Sequence, residues 1–154
     1  MLKDIRSALE KPVAIFITPA IDIGGIGTGA AYASGDAFGG LNVVDVPVQG
    51  IISNVWFFDK DDEGLAKEIV LFDRPFQPTA DNSAFAPLDD DLSDCVGVIN
   101  IDLFYNYSLN QVGNANPALL YHAPLGKLWF QSVTRGADNI AAGSVPQIRF
   151  GITE

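Results

Sequence analysis

Six runs of β-branched, aromatic and other apolar residues, each cut off by Gly, Pro, Asn or Asp, constrain this chain more than any other feature. They are VAIFIT (13–18), IISNVWFFD (51–59), KEIVLFD (67–73), CVGVINIDLF (95–104), KLWFQSVT (127–134) and QIRFGIT (147–153). Runs of this length and composition, bounded by turn residues, are strand signals. Clusters of catalytic residue types are nearly absent, with one His and one Cys in the whole chain. The pattern predicts a rigid β domain that binds or braces something, and not an enzyme.

A chain of 154 residues fits a single domain, which can bury enough surface to fold without a disulfide or metal. The 48% apolar content argues against disorder. No apolar run approaches the ~20 residues of a membrane-spanning helix. The segment MLKDIRSALEK mixes charges of both signs and lacks the features of a signal peptide. A net charge of −10 disfavours nucleic acid and anionic membranes as partners.

Leu2, Ile5 and Leu9 give residues 1–12 an apolar stripe, ended by Pro12, that predicts a short helix or an arm reaching to a neighbour. Residues 13–154 form the β domain. Both faces of residues 13–18 are apolar, as for a strand inside a sandwich. Seven Gly within residues 24–42 oppose a helix and predict turns with short edge strands around Tyr32 and Phe38. Residues 51–59 and 67–73 read as a hairpin about the loop DKDDEG. The Pro-rich, acidic stretch 74–94, with a helical turn over 88–94, suits a crossing between two sheets. Residues 106–117 read as an Asn-rich loop, residues 118–121 as a further strand, and residues 135–146 as a hairpin-like connection. In the last run Ile148, Phe150 and Ile152 face one way while Gln147, Arg149 and Thr153 face the other. Eight or so strands at irregular spacing predict an all-β fold, a jelly-roll-like β-sandwich, with a small barrel as the alternative.

Candidate chemical motifs lack the context they need. GIGTGA (25–30) fits the dinucleotide pattern, but Gly35, Gly39 and Gly40 oppose the helix that must follow it. Asp59, Asp61, Glu63 and Gly64 match the first half of a calcium loop, while Val70 stands where a bidentate Glu belongs. The better reading is a solvated hairpin tip. DDDLSD (89–94) reads as a solvated acidic turn. His122 has neither a nucleophile elbow nor partners for zinc, and falls at a strand end or a subunit contact. Cys95 reads as a buried small hydrophobe, and Trp56 and Trp129 as core residues. No catalytic, cofactor-binding or metal-binding residue is singled out, and no cofactor is called for.

The order of segments resembles that of small structural proteins of tailed bacteriophages, the capsid decoration or cement proteins. The resembling pieces are SGDAFGG (34–40), IISNVWFFDKDDEG with EIVLFDRPF (51–76), DNSAFAPLDDDLSDCVGVI (81–99), and LWFQSVTRGADNIAAGS with IRFGI (128–152). The resemblance covers most of the chain beyond residue 13. It implies a virion protein on the outer capsid surface, with the major capsid protein and its own copies, as a homotrimer, for partners. It implies that the protein braces neighbouring capsomers against internal pressure. A tail, fibre or glycan-binding β domain is the alternative, and a β-sandwich hydrolase or cupin-like enzyme is a third that the shortage of His opposes.

Overall fold

The computed structural model describes residues 13–27 and 30–154. The expected helix or arm over residues 1–12 lies outside them. The described chain is a sandwich of two antiparallel sheets. Its strands are β1 (Ile15–Ile17), β2 (Ile21–Asp22), β3 (Ala37–Asp45), β4 (Gln49–Asp59), β5 (Lys67–Phe72), β6 (Cys95–Ile101), β7 (Leu103–Asn106), β8 (Gln111–Ala115), β9 (Leu119–His122), β10 (Lys127–Thr134) and β11 (Gln147–Thr153).

The larger sheet has seven strands in the order β1-β11-β4-β8-β7, with β2 also on β11 and β9 also on β4. The smaller has the order β3-β10-β5-β6. β8 and β9 pair with successive stretches of β4, so together they fill one strand position. β1 and β2 likewise share β11. With those merged and β7 set aside as an added edge, the chain visits eight positions arranged 1-8-3-6 and 2-7-4-5. That is the double Greek key of a jelly roll, as the sequence predicts.

Alternation decides what goes inside. Ile148, Phe150 and Ile152 of β11 are at most 1% exposed, while Gln147, Arg149 and Thr153 face outward. β4 changes phase midway. Its pairing with β11 shifts register between Gly151 and Ile152, and this bulge sends Ile52, Val55 and Phe57 inward. Phe130 and Phe150 meet edge to face across the sheets at 5.6 Å. Phe57 contacts Phe38 and Phe104 at 6.4 and 6.1 Å. Phe38, Phe57, Phe130 and Phe150 are fully buried, and each contributes about 1.5–3 kcal/mol.

Several expected connections come out differently. β4 and β5 are not a hairpin. The hydrogen-bonding edges of β4 are filled by β11 on one side and by β8 and β9 on the other, so residues 60–66 cross between sheets. Residues 135–146 cross in the same way, from β10 to β11. The stretch 73–94 crosses nothing. It leaves β5 and returns to β6, its neighbour in the same sheet, through the 3-10 helix Asp89–Asp94. On the way it lays Phe76 on the outer face of that sheet, stacked 4.0 Å from Phe72.

Residues 13–18 are no interior strand. β1 is an edge piece with Phe16 turned in and Ile15 and Ile17 turned out, 73% and 55% exposed. The run 95–104 is two strands in different sheets, broken at Asp102. The Asn-rich stretch 106–117 contains β8, and the Gly-rich stretch leads into β3, a nine-residue edge strand.

Candidate docking face

The outer faces of the two sheets are treated differently by the chain. On the small sheet, Val70, Phe72 and Val133 point away from the core and would meet water. Phe76 and Phe85 from the 73–94 connection cover them, with Trp129 and Cys95 at the margin. The large sheet has no such cover among the described residues. Across its outer face the register aligns Ile15, Thr153, Ile51 and Leu120 on four neighbouring strands. Ile15 and Leu120 are 73% and 74% exposed. Further along, Arg149, Trp56, Asn114 and Leu103 form one row, and Gln147, Phe58, Val112 and Tyr105 another.

This face is apolar and nearly free of acid in a chain with 19 carboxylates. Among the described residues, Asp22 is the one acid in its outward strand positions, held at the corner by Gln147 Nε2 at 2.6 Å. Arg149 stands near the centre with its guanidinium 5.7 Å from the Phe58 ring, a cation–π arrangement. Its Nε is buried without a hydrogen-bond partner, an orphan donor. Gly151 makes room for the Trp56 indole. A Cβ there would meet the ring at 3.1 Å.

At one end the face deepens into an open depression of about 760 Å³, lined by Val13, Ile51, Leu120, Tyr121, His122 and Glu154 among others. The Tyr121 hydroxyl is buried without a hydrogen-bond partner. Burial, and secondarily the Glu154 charge, push its pKa up to about 12.

The sequence-level candidates fall elsewhere. Gly27 N–H donates to Asp81 Oδ2 at 2.7 Å, and no helix follows GIGTGA among the described residues. The half calcium loop is closed by its own carboxylates and is not a solvated tip. Asp59 is 4% exposed and accepts Asp61 N–H and Gly64 N–H at 2.9 and 2.8 Å. Asp62 accepts from Asn106 and Gln111, both at 2.8 Å. Among the described residues no group of three or more His, Cys, Asp and Glu could hold a metal. His122 is exposed at the end of β9. Cys95 is half-buried, its thiol pushed up in pKa by burial. Both Trp residues lie half-buried on outer faces and not in the core.

Three polar centres went unread in the sequence because their partners are far apart in it. Asp81 accepts from Gly27 N–H, Gly39 N–H and Tyr32 Oη. Its contact, together with the larger effect of burial, raises the Tyr32 pKa. Gln131, fully buried, donates to Gly39 O and Thr79 O and accepts Thr79 N–H. Lys67 and Asp138 pair inside the sandwich. A Lys in register with Ile69 and Leu71 was the one available signal.

Among known proteins, no family model, no curated protein and no solved structure matches the chain.

Proposed function

We propose that this chain is a structural binding protein of a virus particle, a cement or decoration protein seated on the outer surface of a tailed-phage capsid. It docks through the outer face of its seven-stranded sheet and braces neighbouring capsomers. The observation that carries this reading is the contrast between the sheets: one outer face is partly covered by the chain's own Phe76 and Phe85, and the other is largely apolar and has no such cover among the described residues. An exposed apolar face of this kind marks an interaction surface. The resemblance of the segment order supplies the capsid as partner. The acidic remainder of the surface keeps the bound protein away from nucleic acid. Association as a homotrimer lets three modest contacts act together at high effective concentration.

Quantitative mass spectrometry of purified parent particles tests this. Copies comparable to the major capsid protein support it, and absence from the particle overturns it. A few copies per particle would favour a second reading, a tail, fibre or glycan-binding domain. Tyr105 and Tyr107, 52% and 63% exposed beside Asn106, speak for that reading.

A further inference from the structure

Lys67 and Asp138 meet where neither charge is solvated. Nζ lies 2.6 Å from Asp138 Oδ1, with side-chain exposures of 3% and 0%. Nζ also donates to Leu65 O at 2.7 Å. The rings of Phe38, Phe57 and Phe104 stand 5.0, 5.8 and 5.9 Å from it. The other carboxylate oxygen, Oδ2, accepts a hydrogen bond from Thr134 Oγ1. The amine and the carboxyl are thus each held in one orientation, against each other, in an aromatic box.

Burying both ions is costly. Passing one proton from Nζ to Oδ1 removes both charges and leaves a free amine beside a carboxylic acid. Burial already pushes the Lys67 amine below the ordinary lysine range, and a neutral lysine is a nucleophile. Fixed orientation of two such groups is worth effective concentrations of about 10⁵–10⁸ M.

We propose that the folded chain joins Lys67 to Asp138 through an amide bond. Nζ gives one proton to Oδ1. Its lone pair then attacks Cγ, forming the N–C bond, while the carbonyl electron pair moves onto Oδ2, where the Thr134 hydroxyl donates. A second proton passes from nitrogen to Oδ1, the Cγ–Oδ1 bond breaks, and Oδ1 leaves as water. One proton remains on the amide nitrogen, and no oxidant or reductant is needed. Asp59 and Glu63 are the other acids whose charge acts on the amine. Burial raises the Glu63 pKa. The bond would tie β5 of the small sheet to the connection between β10 and β11, in a chain whose single Cys cannot make a disulfide of its own. This inference stands apart from the capsid reading.

Mass spectrometry of the full chain, purified folded and then denatured, tests it. The expected result is a mass lower than the sequence mass by one water, with a proteolytic digest containing a joined peptide that spans Lys67 and Asp138. Lys67→Arg and Asp138→Ala chains should retain the full sequence mass. Should those variants fail to fold, the joined peptide in the unsubstituted chain decides alone. The full sequence mass in the folded protein overturns the proposal. So does a lost water that maps to any other residue.

Discussion

Replacing Ile15 and Leu120 together by Ser should weaken docking far more than it weakens the fold. Both lie on one row of the large sheet's outer face, three strand spacings apart through Thr153 and Ile51, roughly 14 Å. They are 73% and 74% exposed. Full burial of such a side chain is worth about 1.5–3 kcal/mol. The isolated fold holds about a quarter of that, so the double substitution costs the fold roughly 1 kcal/mol. Docking would bury the remaining three quarters, about 1–2 kcal/mol per side chain, or about 2–4 kcal/mol for the pair. That corresponds to roughly 30- to 1,000-fold in affinity. Urea unfolding reads the first quantity. Co-sedimentation with parent particles stripped of this protein reads the second. Val98→Ser is the control. It lies on the outer face of the small sheet at 48% exposure and should leave binding unchanged. Unchanged binding by the double variant, or a loss of stability as large as the loss of binding, would refute the reasoning.

Other consequences are open to direct measurement. Phe76→Ala removes a ring 6% exposed and stacked on Phe72. It should cost about 3–5 kcal/mol in chemical unfolding, and a loss below about 1 kcal/mol would mean that the cover does not pack as described. Asp81→Ala strands the donors of Gly27, Gly39 and Tyr32 and should cost about 2–4 kcal/mol, with proteolysis rates around residues 24–39 rising first. At high pH, the unfolded chain ionises Tyr121 near its ordinary value of 10.0, while the folded chain holds the phenol to about 12. The contribution of the neutral phenol is therefore complete below pH 10.0 and falls away as pH rises to about 12. Unfolding midpoints across that window, with phenolate absorbance, should show the decline, and Tyr121→Phe should remove part of it.

The sandwich was legible in the sequence because alternation and turn residues are local. The alternation of Ile148, Phe150 and Ile152 was enough to orient β11. The facing of Lys67 with Ile69 and Leu71 was equally readable, although its consequence, a Lys inside the core, needs Asp138 from 71 positions away. What local pattern cannot supply is which strands share a sheet. Residues 51–59 and 67–73 have the composition of a hairpin. The edges of β4 are nevertheless filled by β11, β8 and β9, and that choice is made by long-range pairing. Residues 13–18 mislead for a related reason. Two apolar faces mean burial on both sides for most strands, but here the outward face, with Ile15 and Ile17, is left exposed. A sequence pattern cannot distinguish a face covered by the chain from one left exposed. The split at Asp102 and the strand inside the Asn-rich loop escaped because β7 and β8 are only 4 and 5 residues long, and Gln111, Gly113 and Asn114 leave β8 without a run of apolar residues.

The most direct test of the central claim is a cryo-electron microscopy reconstruction of the parent particle. Density for the sandwich is expected on the outer shell, repeated around local threefold positions. The row from Ile15 to Leu120 should be turned toward the major capsid protein, and the Phe76 cover toward solvent. A shell without this density, or a bound sandwich with its seven-stranded sheet facing outward, would contradict it.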